Sequence, residues 1–548
     1  MAIDMIVSGS SETTTPVRSV RTELFWLRLL SAVAILYHLL LAIRPDERLM
    51  SRPLLEDAFY SLGVSRSIGH GLGFTIDGVH PTNGVQPLIC LFYAPMFTIA
   101  GDNTFVALRL VLVLQVVCFA AAAFAAAGWW RMLRRDRPRA DTEFWVIATL
   151  FLWNYSLLTW ILNGLETGLS LALVFASAIL YQRWIAGADR PSYARSALLG
   201  AILGLGVLAR IDVAIFVPAL LAYHLLQAHL RHGHLAGSER LSALRRVVVQ
   251  ALLIGGVAVG VSAPWWIYNL GTFGSLLPIS GQAQQMLNPD RVENLVATAS
   301  VVSDAFMLNA HMPLELQRQY WYLGILAAAL LALLLLAMPA SRRLLAGVVR
   351  DRLAESEWRR AIPIALFTAA LVIYYSFFFG APHFQGRYLV ILRVLIFMAM
   401  VSLINAIGQR GDRGRMILRA GLVLYIAASG FWLSRSFTWS AAEGNIFMVP
   451  AEWIGRNVSP RQRVGMFQSG TTGFLFPNVE NLDGKVNARA LQANIRGQIV
   501  RYVDSASFDY IIDWDMFTKP LMSDPTLGSR YSPIDTLPHA FVVWKKTR

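Results

Sequence analysis

Apolar segments of roughly 20 residues recur along most of this chain and are separated by shorter polar segments. A helix of that length crosses a hydrocarbon core about 30 Å thick. Between residues 24 and 434 the pattern therefore predicts a polytopic α-helical membrane protein with about eleven transmembrane helices. The predicted spans are Leu24–Ile43, Thr104–Trp130, Phe144–Leu162, Thr167–Ile185, Ser196–Leu208, Val213–His229, Val247–Leu270, Tyr320–Met338, Ile362–Phe379, Leu389–Ile407 and Ile417–Leu433.

Basic residues set the predicted orientation of these spans. They cluster in short loops at Arg131–Arg139, Arg231–Arg246, Arg342–Arg360 and Arg410–Arg419. Short loops rich in Lys and Arg stay on the cytoplasmic side of a membrane. With Arg18 and Arg21 also inside, residues 1–23 form a cytoplasmic N-terminal segment and every basic loop lies on the same side.

The segment Pro87–Ala100 is apolar but is not counted as a span. It has about 14 residues and is bounded by polar or helix-breaking residues, so it is short for a crossing. Counting it would also place the basic loop after Trp130 outside the membrane. We predict a helix that lies at the outer surface or dips into the membrane and returns, within a first outer loop of residues 44–103.

In residues 435–548 the apolar and polar positions follow a different pattern. This pattern predicts a small soluble α/β domain on the outer, periplasmic side. Val464–Gln468, Tyr510–Trp514 and Ala540–Lys545 have the composition of strands. Ala488–Val503 has the spacing of an amphipathic helix. At roughly 115 residues, this part of the chain can bury a modest core of its own.

Composition agrees with a membrane protein and argues against two other classes. Of the 548 residues, 55% are hydrophobic and only 15% are charged, fewer charges than a soluble domain carries. The net charge of +14 is located in loops between apolar segments, so no nucleic-acid partner is predicted. Cys90 and Cys118 lie in apolar segments and give the C-terminal part no disulfide framework.

Polar residues near membrane depth gather on the predicted outer side. On insertion scales a charged side chain costs about 2.5–3.5 kcal/mol at the centre of a membrane helix, so such residues tend to be functional or paired. The orientation follows from the basic loops alone, yet all of these polar residues fall on one face. They are Glu56, Asp57, His80, Thr82, Asn83, Glu166, Arg210, Asp212, His383, Gln385, Arg387 and Tyr388.

Short motifs surround these residues. They are EDAFY at 56–60, GHGLGF at 69–74, HPTNGVQPL at 80–88, ALRL at 107–110, NGLETGL at 163–169, LARID at 208–212, GRYL at 386–389 and NLDGKVN at 481–487. Their order and common side resemble the GT-C membrane glycosyltransferases, in particular bacterial family 39 or PMT-like proteins, which include aminoarabinose and arabinofuranosyl transferases. Glu56 departs from the family pattern, which usually has Asp first in its acidic pair.

The resemblance implies inverting transfer of a sugar from a polyprenyl-phosphate donor to an acceptor hydroxyl, at the periplasmic face of the bacterial cytoplasmic membrane. The implied partners are that donor, a lipid or glycan acceptor, and membrane lipids. Such a reaction needs a carboxylate that takes the acceptor proton and donors that bind the leaving phosphate. Asp57 is expected to be the general base, with Glu56 as its partner or as the base itself. Arg387, Arg210 and Tyr388 are expected to bind the donor phosphate. His80, Asn83, Glu166 and His383 are expected to bind the sugar or the acceptor.

Metal binding is not indicated by the residues themselves. No His/Cys cluster has the spacing of a zinc site. Some members of the family that the chain resembles bind divalent cations, so a magnesium or calcium ion is compatible with the resemblance.

Other interpretations of the same residues remain open at this stage. Glu56 and Asp57 also suit the first turn of a helix, where the dipole favours negative charge. Arg210 and Asp212 also suit a structural ion pair, and NLDGKVN also suits a turn, although Asp483 within it could reach the site. The alternative functions are a transporter or lipid-carrier flippase, and a non-catalytic scaffold.

Overall fold

The computed structural model of the chain describes residues 15–134, 140–186, 192–232, 237–285, 290–305, 326, 356–408, 412–438 and 445–547. These residues form a long series of helices followed by a small mixed domain. Residues 1–14 of the predicted cytoplasmic segment lie outside the described residues, as does the predicted span Tyr320–Met338 except for Leu326.

Seventeen described helices precede the C-terminal domain. In chain order they are α1 (Thr15–Leu39), α2 (Asp46–Leu49), α3 (Glu56–Gly69), α4 (Pro87–Ala100), α5 (Thr104–Met132), α6 (Ala140–Trp153), α7 (Tyr155–Ile161), α8 (Thr167–Tyr181), α9 (Tyr193–Ala209), α10 (Phe216–His232), α11 (Gly237–Phe273), α12 (Ile279–Gln285), α13 (Arg291–Ala305), α14 (Ile362–Phe377), α15 (Gln385–Tyr388), α16 (Val390–Gly408) and α17 (Asp412–Thr438).

Many of these helices are apolar enough to cross a membrane. Six spans in the described part of the chain meet that test by length and composition, or seven if α6 and α7 form one bent crossing. Shorter apolar helices at Tyr193–Ala209, Val390–Ile404 and Ala420–Ser434 coincide with further predicted spans. The chain is therefore a multi-pass membrane protein, and the total of eleven spans stays a prediction.

The predicted span Phe144–Leu162 is a broken helix. Its two parts, α6 and α7, are bent by 70°. Asn154 begins α7, because its side-chain oxygen accepts a hydrogen bond from the amide of Leu157 at 2.9 Å. Hydropathy detects the apolar segment but carries no information about this bend.

The predicted short helix Pro87–Ala100 is α4, and it packs along α3. A Cβ at Gly69 would lie 2.7 Å from the carbonyl oxygen of Ala94, so the two backbones approach at a residue without a side chain. Thr98 Oγ1 donates a hydrogen bond to the Gly69 carbonyl at 2.9 Å. The first outer loop thus contains a packed pair of helices; that α4 does not cross the membrane stays a prediction.

The C-terminal domain contains a five-stranded mixed sheet in the order β2-β1-β3-β5-β4. Strand β1 lies parallel to β2 and β3, whereas β5 runs antiparallel to β3 and β4. The strands are β1 (Val464–Met466), β2 (Val479–Asn481), β3 (Tyr510–Trp514), β4 (Tyr531–Leu537) and β5 (Phe541–Lys546). The helices around them are α18 (Met448–Asn457), α19 (Gly470–Leu475), α20 (Ala488–Ile495), α21 (Ile499–Ala506), α22 (Asp515–Met522) and α23 (Pro525–Gly528).

The predicted α/β character of this domain agrees with its structure, but several element boundaries were wrong. The single helix predicted over Ala488–Val503 is two helices, separated at Gly497 with φ +64°. Strands β2 and β4 were missed. β2 has only three residues, and β4 contains Pro533 and is exposed along most of its length, so neither has the alternating pattern of a half-buried strand.

The C-terminal domain packs directly on the first outer loop. Phe474 and Val486 belong to the buried apolar cluster formed mainly by α3, α4 and α5. Arg66 Nη1 of α3 donates to the Phe474 carbonyl at 2.8 Å. This contact joins the C-terminal part of α19 to the last turn of α3.

The predicted orientation can be tested with single cysteines in a variant lacking Cys90 and Cys118. The positions Met516, in the C-terminal domain, and Ser238, in a basic loop, are both exposed. We expect a cysteine at 516 to react with a membrane-impermeant thiol reagent in intact cells, and one at 238 to react only after the cells are opened. The opposite labelling pattern would show that the orientation is reversed and that the site described below lies at the cytoplasmic face.

Candidate active site

Asp57 lies in the first turn of α3 and is held by cations from two distant parts of the chain. Arg387 Nη1 donates a hydrogen bond to Asp57 Oδ2 at 3.1 Å. Lys485 Nζ, from the C-terminal domain, lies 3.9 Å from Asp57 Oδ1. The Asp57 carboxylate is thus paired with two cations. Its side chain is 18% exposed, so a substrate can still reach it.

The position of Arg387 is fixed by the aromatic ring that follows it in the chain. Arg387 Nη2 donates to Tyr388 Oη at 2.9 Å, and its guanidinium carbon lies 4.8 Å from the centroid of the Tyr388 ring. Tyr375 of α14 stacks on the same ring, with centroids 4.7 Å apart and planes inclined by 8°. Cation–π attraction and stacking thus hold α15 and its arginine beside Asp57.

The guanidinium of Arg387 is buried, and not all of its N–H groups are hydrogen-bonded to described residues. Its Nε is enclosed and has no hydrogen-bond partner among the described residues. Burial alone lowers the pKa of the Arg387 guanidinium, but the nearby acidic groups, Tyr388, Asp57 and Glu166, outweigh it and raise that pKa. The side chain is thus a permanent cation beside the Asp57 carboxylate.

Arg210 stands behind Tyr388 and is occupied by its own partner. Its Nε and Nη2 donate to the carboxylate of Asp212 at 2.8–3.0 Å, and its guanidinium carbon lies 4.8 Å from the Tyr388 ring centroid. The Tyr375 hydroxyl also donates to Asp212, at 3.0 Å. This geometry corresponds to the structural ion pair considered above and does not suit the phosphate-binding role expected for Arg210.

Glu56 faces the C-terminal domain rather than the cations. Its carboxylate accepts hydrogen bonds from the Thr471 amide at 3.0 and 3.1 Å and from the Thr471 hydroxyl. Burial raises the pKa of the Glu56 carboxyl to about 8, although the bonds from Thr471 oppose this shift. The adjacent acids of α3 therefore point to different surroundings: Asp57 to Arg387 and Lys485, Glu56 to the first turn of α19.

The raised pKa of Glu56 predicts that docking of the C-terminal domain weakens as the pH rises from about 4.5 to about 8. A carboxyl whose pKa is raised in the docked state above its ordinary value of 4.5 stabilises docking fully below pH 4.5 and loses this contribution progressively as the pH rises through about 8. The loss is at most about 1.4 kcal/mol per pH unit inside that window. Thermal unfolding and hydrogen exchange at the Thr471 amide, measured from about pH 6 to about pH 9, should show it.

Glu56→Gln should remove this pH dependence, because the amide does not titrate. Glu452→Gln is a matched control, since Glu452 lies on the same domain and its side chain is 51% exposed. An unchanged pH profile in Glu56→Gln would show that another group controls docking.

Asn83 and Glu166 are both buried, with different surroundings. Asn83 donates from Nδ2 to Asn269 Oδ1 at 3.0 Å and accepts from the Ile279 amide at 3.0 Å. Its amide thus ties the first outer loop to α11 and α12, which does not suit the sugar contact expected for it. Glu166, directly before α8, contributes negative charge to the surroundings of Arg387 and Arg210, and no described contact joins it to Asp57.

The two predicted histidines are not brought into the site by the described contacts. His80 Nδ1 lies 2.7 Å from Asp77 Oδ2, and the His80 side chain is 45% exposed on the first outer loop. The pairing with His80 helps to lower the pKa of the Asp77 carboxyl, against the opposite effect of burial. The backbone of His383 lies in a short 3₁₀ turn, and its side chain is outside the described structure.

Sequence reasoning missed Lys485. Its ammonium lies 3.3 Å from Asp483 Oδ2 as well as 3.9 Å from Asp57, and 5.6 Å from the centroid of the Phe384 ring. The motif NLDGKVN had been noted, and Asp483 within it had been considered for the site. The signal that could have identified the lysine is composition: Lys485 is one of only four lysines among 48 basic residues.

The described residues provide no ligand set for the magnesium or calcium ion considered above. Among the described residues, no group of three or more His, Cys, Asp and Glu side chains is arranged to hold a metal ion. Asp57, Asp483 and Glu166 contribute to a site whose described partners are basic side chains.

Comparison with known proteins rests on the fold, since no protein-family model and no curated protein sequence matches the chain. ArnT from Cupriavidus metallidurans bound to undecaprenyl phosphate aligns with a TM-score of 0.53 and 12% identity, covering 95% of this chain and 97% of that one. Its apo state gives a TM-score of 0.52. The apo oligosaccharyltransferase of Archaeoglobus fulgidus gives 0.50 at 13% identity, covering 96% of this chain and 75% of that one.

Both similar proteins are GT-C glycosyltransferases. This chain has the GT-C fold. The resemblance inferred from the short motifs is thereby confirmed for the fold, which includes both the helices and the small C-terminal sheet. At this level of identity, the roles of individual residues do not follow from the GT-C fold and depend on the geometry of the site itself.

Proposed function

We propose that this GT-C protein transfers a sugar, with inversion, from a polyprenyl-phosphate carrier to an acceptor hydroxyl. The observation that carries the proposal is the partly exposed Asp57 carboxylate held between Arg387 and Lys485. A carboxylate next to basic side chains combines the two requirements of the reaction, a proton acceptor and a binding site for a phosphate leaving group.

Asp57 is the general base in this proposal. The acceptor oxygen bonds to the anomeric carbon as its proton passes to Asp57, and the bond from that carbon to the phosphate oxygen breaks with its electrons remaining on the phosphate. A single displacement of this kind inverts the anomeric centre. Glu56 is assigned to docking of the C-terminal domain, because its oxygens are used by Thr471.

Arg387 is the principal phosphate ligand in this proposal. Each of its two Nη groups carries two N–H donors, and the bonds to Asp57 and Tyr388 use one donor of each, so a second donor of each can bind a phosphate oxygen. Tyr388 positions Arg387, and Arg210 with Asp212 supports Tyr388 from behind. Glu166 is kept as a candidate for binding the sugar or the acceptor because its charge acts on Arg387, while Asn83 and His80 are left out.

The proposed location is the bacterial cytoplasmic membrane, with the site at the periplasmic face and a lipid or glycan as acceptor. A transporter or flippase typically binds its substrate near the midplane of the membrane, between broken helices. Asp57 instead lies in the first outer loop and contacts the C-terminal domain, which favours group transfer at the membrane surface.

The test is transfer by the purified full-length protein in detergent. Synthetic polyprenyl-phosphate sugars, including hexose, arabinofuranose and aminoarabinose donors, are incubated with an extract of cell-envelope lipids and glycans, and release of polyprenyl phosphate is followed. Release together with a sugar-modified acceptor supports the proposal. Absence of both, across donors that fold-matched active enzymes accept in the same assay, would contradict it.

A further inference from the structure

Lys485 sits on a segment whose backbone is fixed against the membrane domain. Its amide donates to Asp483 Oδ1 at 2.8 Å. Its carbonyl packs against Gly84 of the first outer loop so closely that a Cβ at position 84 would overlap the oxygen. The main chain of the loop is thus set by contact with the first outer loop.

The ammonium group, by contrast, is shared. It lies 3.3 Å from Asp483 and 3.9 Å from Asp57, on a flexible four-carbon stem with three donor hydrogens. Burial alone would lower the pKa of Lys485, but Asp483 and Asp57 outweigh that effect and raise it, so the side chain is cationic. Every other lysine of the chain lies further along the C-terminal domain, and the membrane domain contains arginines but no lysine.

We propose that the C-terminal domain completes the active site by supplying Lys485, whose ammonium binds the carrier phosphate together with Arg387. This inference rests on the proposed function and adds a residue, and a domain, to its phosphate site. Asp483 pairs with the ammonium before the donor binds and competes with the phosphate for it.

The charges of the reaction explain why both cations contact Asp57. Before transfer, Asp57 carries one negative charge and the phosphodiester of the donor carries another. The acceptor proton then neutralises Asp57, while the departing phosphate keeps the electron pair of the broken bond and gains a second negative charge. One negative charge therefore moves from Asp57 to the phosphate. Cations that contact both groups stabilise that charge at the start and at the end of the step.

The experiment measures binding of undecaprenyl phosphate to the purified full-length protein. Lys485→Met should weaken binding at least about tenfold and lower turnover, because a charged donor to the phosphate is lost. Lys485→Arg should retain most of the binding, since it keeps the charge. Lys519→Met is the matched control, because Lys519 is an exposed lysine of the same domain, and it should bind as the wild type does.

Asp483→Asn separates phosphate binding from a merely structural ion pair. It removes a competitor for the ammonium, so undecaprenyl phosphate should bind at least as tightly as to the wild type. If Asp483→Asn weakens binding as much as Lys485→Met, or if Lys485→Met binds normally, the role given to Lys485 is wrong. If the wild type itself neither binds the carrier nor releases it from any donor, the proposed function fails as a whole.

Discussion

Asp57→Asn should lower the rate of sugar transfer by roughly 10²–10⁴, because the amide keeps the shape of the side chain and cannot take the acceptor proton. The same variant should bind undecaprenyl phosphate at least as tightly as the wild type. Asparagine resembles the neutral Asp57 that remains after transfer, so Arg387 and Lys485 are left free to pair with the phosphate dianion. Single-turnover rates and carrier affinity should be measured in the same detergent.

Glu56→Gln is the matched control for this result, since it changes the neighbouring acid of the same helical turn. Because the Glu56 carboxylate is bound to Thr471 rather than to the cations, the substitution should alter docking of the C-terminal domain and leave most of the transfer rate intact near neutral pH. The reverse outcome, normal transfer by Asp57→Asn with an inactive Glu56→Gln, would identify Glu56 as the base. Loss of activity in neither variant would contradict the proposed mechanism at its centre.

The sequence predicts the region of the candidate site, because charged residues are costly near a membrane and are therefore rare among apolar segments. The acidic pair of α3 and the arginines of LARID and GRYL stand out against apolar surroundings, and the basic loops placed them all on one side. Local chemistry also suggested the ion pair of Arg210 and Asp212, which are two residues apart.

What could not be predicted depends on contacts between distant parts of the chain. Glu56 contacts Thr471, which lies 415 residues further along the chain, so nothing in the local sequence indicates that Glu56 points away from Arg387 and Lys485. The position of Lys485 could not be predicted for the same reason. The sequence around it predicts a turn, and only packing of the C-terminal domain on Gly84 brings it to Asp57. Asn83 is the converse case, a residue whose local motif suggested a ligand and whose amide instead joins two helices to the loop.

Arg387→Ala should weaken carrier binding and lower the rate of transfer by roughly 10²–10³, the loss typical of removing one donor to a developing oxyanion. Arg387→Lys should lose less, because it keeps the charge and gives up only the planar fork. Arg456→Ala is a suitable control, since that arginine belongs to the C-terminal domain and its side chain is 76% exposed.

The difficulty with Arg387→Ala is that it also removes a partner of the Asp57 carboxylate. The same substitution in the Asp57→Asn background avoids this, since no carboxylate is left unpaired, and the pair of measurements forms a double-mutant cycle. If Arg387 contacts the phosphate, its removal should weaken undecaprenyl phosphate binding in both backgrounds. If the effect disappears once Asp57 is neutral, Arg387 acts only by holding the base, and the phosphate must be bound by Lys485 and Tyr388 instead.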